Sequence, residues 1–541
     1  MATPEPLIDL DDVQGNIFPG FSKDHQTLRF LTIAELEPAR AALADLAGDV
    51  TTSAMVRDYG ALRKAIKAKR GGDPSGLTAT WMNISLGYSG LVKLSSAAVA
   101  DSIDGGGFKA GLAARSAILG DPVDPAEEGH ASKWRIGAPG STPVDVLITV
   151  AGDKREDVDA YLRTLDARMG RHLAADGLPA LRVLLPDLVG DTLGGDLNGH
   201  EHFGFKDGIS QPAIRGRLKS DPTTFIVPRI IDPASTDADL YGRPGQVLLQ
   251  PGQLLLGQPR QSGLDRIEPL GPMRLSDEWL RNGSFMVLRQ LQQDVPAFWA
   301  QMRTYSNVVV GTQDDDDVDW VAARIVGRWR SGAPVVRSPG SDDTTFMSDD
   351  RVSNDFEFTS PGHVPMLVAG QAPLPNLPPS IADPDGRICP FAGHIRKVNP
   401  RDDPVELGGP EETLVHLIAR RGIPYGPAFA DPRHAASDGI ERGLVFVSYQ
   451  ASIERQFEFL MQNWVNGDDA PHVAGGRDAV LGRHRPNGQL GATQLTMYDK
   501  ADNPHDLPQI SDFITPRGGG YFFTPSVAGL KHLGTMRKPR A

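Results

Sequence analysis

Apolar runs followed by helical periods recur in two places along the chain. Val144–Val150 (VDVLITV) is β-branched, ends at Ala151-Gly152 and reads as a buried strand. Behind it, Asp153–His172 sets Val158, Tyr161, Leu162 and Leu165 at helical spacing after an acidic first turn, and Leu181–Leu185 (LRVLL) reads as a strand again. In the second half Ser284–Arg289 (SFMVLR) predicts a strand. Asp294–Met302 predicts a helix capped by Asp294, with Pro296 in the first turn, where a missing N–H costs nothing. Gly443–Gln450 (GLVFVSYQ) predicts a strand, and Ile453–Trp464 a helix with Phe457, Leu460, Met461 and Trp464 on one face.

Two copies of one strand–helix–strand grammar argue for two α+β units rather than a single parallel sheet. Between them, Gly216–Asn282 is rich in Pro, Gly and Asp, with a hairpin-like stretch at 247–257, and reads as a connector packed on the surface. The expected division is 1–214, a connector 215–282, and 283–541. The run Asp314–Asp317 reads as the solvated entry of a helix, because it lacks the alternating ligands and distal glutamate of a calcium loop.

Composition narrows the function. A net charge of −13 repels phosphate backbones and anionic lipid, so neither nucleic acid nor a membrane surface is an expected partner. Cys389 is the one cysteine, which excludes an intramolecular disulfide and any multi-cysteine metal site. The first residues show no basic stretch leading into an apolar run, and no window reaches the ~18 apolar residues of a membrane helix. The expectation is a soluble cytoplasmic protein, in which the sequons at Asn83 and Asn282 are chance matches. The 59 glycines and 44 prolines follow no period and point to long ordered loops.

Familiar catalytic signatures are missing: no HExxH, no GxSxG, no phosphate loop, and no dinucleotide fingerprint at Gly105–Gly107 or Gly518–Gly520. Three stretches remain. His200–Pro212 (HEHFGFKDGISQP) holds Asp207 between Gly204 and Gly208, although the spacing alone is also that of a plain Asp-Gly turn. Cys389–Arg401 (CPFAGHIRKVNPR) has a single imidazole, His394, followed by cationic side chains, which suits an axial haem ligand with propionate partners. Leu417–Tyr425 carries tandem arginines, Arg420 and Arg421, beside apolar residues, where a buried guanidinium demands a partner.

Taken together, GxxDG at 204–208, CPFAGHIRKVNPR at 389–401 and ARRGIPYG at 419–426 resemble the dye-decolourising peroxidase family. DDVQGNI near the start, LLLGQP at 254–259, ARIVGRWRSGAP at 323–334, LVFVSYQASIERQFEF at 444–459 and RGGGYFFTPS at 517–526 extend the likeness in the family's order. The length is similar to that of the longer bacterial and fungal branch. The resemblance implies an α+β fold of two ferredoxin-like halves, each an antiparallel β-sheet with packed helices, with haem mainly in the C-terminal half.

It also implies a haem b peroxidase, one haem per chain, that uses hydrogen peroxide to oxidise bulky aromatic reductants, as a monomer or homo-oligomer. Residue by residue, the distal carboxylate falls on Asp207, the axial ligand on His394 and the distal arginine on Arg420, with Arg421 as competitor because GGPEE (408–412) looks inserted. Cofactor contacts fall on Gly208, Ile209 and Ser210, on Asn399, Pro400 and Arg401, and on Arg420, and Arg328 is placed near a propionate. The carboxylate behind His394 has no clear match: Ser452 holds one candidate position, and Glu454 is the expectation. Tyr425, Tyr449, Trp329 and Trp464 are candidate electron carriers, with core packing as their ordinary reading. The alternative function is haem handling without turnover, which needs no acid–base aspartate.

Overall fold

The computed structural model describes residues 7–72, 74, 76–217, 242, 245–262, 270–347, 350–362, 378–405, 410–484 and 495–536. The apolar runs do form strands, and their near-continuous hydrophobicity has a simple cause: the sheet is buried on both faces. Within His25–Ile33, Leu28 and Phe30 point into one core while Leu31 and Ile33 point into another. Met286 and Leu288 alternate in the same way with Phe285 and Val287, and Phe522 with Tyr521 and Phe523.

The fold is α+β, with an antiparallel sheet and packed helices, but the two halves do not keep separate sheets. One path of hydrogen-bonded strands runs Ile423–Tyr425, Gly443–Gln450, Ser284–Gln293, Ile514–Thr524, Thr80–Gly87, Val146–Gly152, His25–Ile33 and Leu181–Val183. The join is Ile514–Thr524, long enough to pair along all of Ser284–Gln293 and still reach the first half, where Phe522 and Phe523 meet Gly87 and Leu86. Helix Val527–Thr535 then packs on Leu36–Leu46, so the end of the chain lies against its beginning. At the far seam Leu188–Asp191, paired to His25–Ile33, touches Ile423–Pro424, and the sheet curls towards closure. A Cβ on Gly190 there would sit 2.4 Å from Ile423 Cγ2.

Helices follow their expected signals. Arg155–Met169 buries Val158, Leu162, Leu165 and Met169. Val295–Val309 begins where the Asp294 carboxylate accepts the Ala297 N–H at 3.0 Å. Asp315–Val326 opens on Asp315, Asp316 and Asp317, negative charge at the positive end of the helix dipole. The 453–464 stretch is wider than expected, forming two π-helical segments, Ile453–Glu458 and Leu460–Val465. The expected hairpin at 247–257 is absent. Leu248–Leu249 pairs in parallel with Ala213–Ile214, and Leu254, Leu255 and Leu256 are buried, because apolar residues on both sides of Pro251-Gly252 find core rather than solvent. The rest of the expected connector lies partly outside the described residues, as do 408 and 409 of the inserted GGPEE.

An ionic knot holds the short helix His394–Val398. Fully buried Arg396 grips Asp403 through Nε and Nη2 at 2.7 and 2.8 Å, and its Nη1 reaches Asp383 at 3.1 Å and the Cys389 carbonyl at 2.8 Å. Lys397 is buried as well and donates to the carbonyls of Gly467, Ala470 and Gly476. Sequence suggested that these cations neutralise propionates. They instead fasten the helix, and Arg401 alone of the three faces the cavity described below. Arg396→Leu leaves two buried carboxylates without their partner and is expected to cost about 3–5 kcal/mol in urea unfolding. Gly190→Val wedges the seam apart and is expected to cost about 1–3 kcal/mol by the same measurement.

Candidate active site

A cavity of about 280 Å³ opens between the Asp207 loop, the His394 helix and the end of strand Ala419–Arg420. Its walls are mostly apolar, with Ile209, Phe446, Leu460 and Leu481 among them. The polar side chains come from segments far apart in sequence.

Asp207 is delivered by a tight loop. Gly204 and Gly208 take φ of +94° and +76°, a region where a side chain is strained, and the Asp207 N–H donates to the Gly199 carbonyl at 3.0 Å. Its carboxylate accepts the Gly208 N–H at 2.6 Å and Arg420 Nη1 at 3.0 Å. Burial alone raises such a carboxyl, yet Arg420, the Gly208 N–H and the neighbouring His394 together hold it below its ordinary value.

The tandem arginines separate by strand geometry. Arg420 pairs with Ser448 across the ladder and turns into the cavity, where Nη2 also reaches the Ser210 carbonyl at 3.3 Å. Arg421, one residue on, points to the other side and locks onto the carbonyls of Asn16 and Ile17 at 3.1 and 2.9 Å.

His394 Nδ1 lies 2.8 Å from Asp478 Oδ2. Asp478 is completely buried, and its other oxygen accepts the N–H groups of Val480 and Leu481 at 2.9 and 2.8 Å. Burial works against this carboxylate, but the His394 imidazole and the two N–H groups lower its pKa. The partner of His394 is therefore Asp478 and not Glu454. Glu454 accepts the Gly107 N–H at 3.0 Å and lines a different cavity. Ser452 caps its own helix through the Arg455 N–H. Asp478 lies 84 residues from His394, and its only local trace is an Asx-type turn onto Val480.

Ser210 is a hub: its hydroxyl donates to Asn354 Oδ1 at 2.8 Å and accepts from Arg328 at 2.9 Å and Arg401 at 3.4 Å. Gly208, Ile209, Ser210, Asn399 and Arg401 all line the cavity, while Pro400 does not. Burial, added to repulsion from Arg401 and Arg420, pushes Arg328 well below its ordinary value, and burial brings Arg401 down to about 10. The buried Nε of Arg401 has no protein partner. A cavity with three guanidiniums and one ion-paired carboxylate is built for a further anionic group. Tyr425, Tyr449, Trp329 and Trp464 are all buried in the core, so none is itself a surface relay.

The geometry agrees with what comparison finds. Residues 12–175 match the DyP dimeric alpha+beta barrel domain, and residues 270–474 match the C-terminal domain of Dyp-type peroxidases. A dye-decolorizing peroxidase of Mycena epipterygia is 31% identical over 98% of this chain and 88% of its own. An ancestral D-type dye decolorizing peroxidase superposes with a TM-score of 0.73 at 31% identity, covering 98% of this chain and all of that one. A dye-decolorizing peroxidase whose heme pocket was engineered for asymmetric sulfoxidation superposes at 0.69 with 26% identity, over 98% of this chain and all of that one. The chain belongs to the dye-decolorizing peroxidase family and is a peroxidase.

Proposed function

We propose that this peroxidase binds one haem b per chain in the cavity, where His394 would hold the iron, and oxidises bulky aromatic compounds at the expense of hydrogen peroxide. The observation that carries the reading is the pairing of two dyads in one cavity, Asp207 with Arg420 and His394 with Asp478. A protein that merely stores haem needs the second dyad and not the first.

Haem held there would supply the redox chemistry, two electrons passed to peroxide and regained from the reductant. The protein supplies the rest. His394 would hold the iron through Nε2 while Asp478 takes the Nδ1 proton, which would fix the tautomer and make the imidazole a stronger donor. Arg328 and Arg401, both held by the Ser210 hydroxyl oxygen, would form the anion-binding wall for the propionates. Asp207 takes one proton from hydrogen peroxide and returns it to the departing oxygen, which leaves as water. Arg420 keeps Asp207 ionised and stabilises negative charge as the O–O bond lengthens.

His394→Ala is expected to abolish the Soret band on reconstitution with haem. Asp478→Asn should retain the fold and weaken haem affinity by about 10–100-fold, read by spectrophotometric titration. Asp207→Ala and Arg420→Ala should each retain haem and slow the stopped-flow reaction with peroxide by roughly 10²–10⁴-fold. Because the Asp207 pKa is depressed, its carboxylate persists above that value and is lost only as pH falls through it. The peroxide step should therefore keep its rate through the ordinary aspartate range of about 4 and fall only at more acid pH. Overall turnover of organic reductants should rise towards acid, and an optimum above neutrality would count against Asp207 as the base.

A further inference from the structure

Beside Asp207 the same cavity is lined by a second carboxyl group, Glu201, with no role in the chemistry above. It sits inside the loop that delivers Asp207. Its oxygens accept the Phe203 N–H at 2.8 Å and the Phe205 N–H at 3.0 Å, while its own backbone closes the loop through Glu201 N–H to the Phe205 carbonyl and Gly204 N–H to the Glu201 carbonyl. The third donor comes from outside the loop: Gln293 Nε2, on the central strand Ser284–Gln293, at 2.5 Å. All three groups donate, which suits a carboxylate. The Gln293 Oε1, in contrast, is buried and has no protein partner. A half-turn of that amide exchanges its nitrogen for an oxygen, and the same pair then accommodates a protonated Glu201 whose O–H donates to Gln293.

We propose that Glu201 is a positioning residue that switches protonation through the Gln293 amide and sets the upper pH limit of the peroxide reaction. This rests on Asp207 being the base. Ionised, Glu201 adds a second negative charge beside Asp207 and opposes the negative charge that develops on the substrate oxygen. Neutral, it leaves the Arg420 field undiminished.

The charged and titratable groups around Glu201 support a single switch. Burial lifts its pKa to about 7, and the charge of Asp207 adds to that. His202, on the same loop, has its Nε2 at the Tyr425 carbonyl, and burial takes it down to about 4, so it stays neutral. Burial likewise lowers His200. Across the loop Arg330 is engaged with Asp319 and Asp431, and Arg442, whose carbonyl accepts the Gln293 N–H, is engaged with Asp438. Lys206, on the same loop, has its N–H on the Arg330 carbonyl.

Infrared titration of the full chain, with and without haem, tests the switch directly. A protonated-carboxyl C=O band should titrate near neutrality, vanish in Glu201→Gln and survive in Asp207→Asn. In stopped flow the upper inflection of the peroxide step should disappear in Glu201→Gln while the lower one stays. Gln293→Met, which deprives the charged form of a donor, should move the upper inflection up by roughly half a unit to one unit. Gln293→Met also decides the matter if Glu201→Gln does not fold. The idea is overturned if no such band titrates between pH 5 and 9, if the band persists in Glu201→Gln, or if neither variant moves the upper inflection. A silent Asp207→Asn sinks the assignment of the base instead, and the infrared band still reports on Glu201.

Discussion

Three guanidiniums share one largely apolar cavity with a single ion-paired carboxylate, and much of the surrounding structure follows from that imbalance. A cation removed from water needs compensation, and here most of it comes from fixed dipoles: the carbonyls of Gly332, Ser353, Asn354 and Phe356, the Ser210 hydroxyl and the Asn354 amide oxygen. Those partners are buried, so the loops that carry them cannot drift. The residual positive field suits a further anionic group and holds the Asp207 carboxyl below its ordinary value against the burial that raises it.

Holding such a field steady demands a stiff frame. The sheet has apolar side chains on both faces and runs without a break from one half of the chain to the other, so Asp207, leaving the first half, and Arg420, on a strand of the second, are referred to one scaffold. The cavity's other dyad is anchored differently. His394 stands on a five-residue helix that could not persist alone, and the Arg396–Asp383–Asp403 knot with Lys397 replaces the missing helical length. The cationic residues that follow His394 thus divide into those that hold the backbone and one, Arg401, that faces the cavity.

What sequence reading recovered and what it missed divide along the range of the interaction. Strand Gly443–Gln450 and the Asp294 cap were legible because period and capping are local. The Asp207 loop was legible as chemistry only when three distant blocks were considered together, since Asp-Gly between glycines is also an ordinary turn. Asp478 was not legible: its link to His394 is made by tertiary folding across 84 residues, whereas Glu454 sits inside the 444–459 block where a local reading looks first. The π-helical winding of 453–465 has no simple signature, as Phe457, Leu460, Met461 and Trp464 fit an ordinary helical face equally well. The merging of the two sheets was likewise hidden, because the joining strand Ile514–Thr524 contains Gly518–Gly520, which weakens any strand pattern.

The tandem arginines show how a local rule settles a chemical question once the fold supplies a direction. Two adjacent guanidiniums on an extended backbone cannot face the same way, so one must enter the cavity and the other must leave it. The bridge from Arg420 to Ser448 sets which one enters, and the N-terminal loop supplies the carbonyls of Asn16 and Ile17 that the excluded Arg421 requires. That loop turns at Gly20, with φ +98°, where a Cβ would lie 2.2 Å from Arg421 Nε. Gly20 and the arginine turned away from the cavity are therefore part of the same arrangement that aims Arg420 at Asp207.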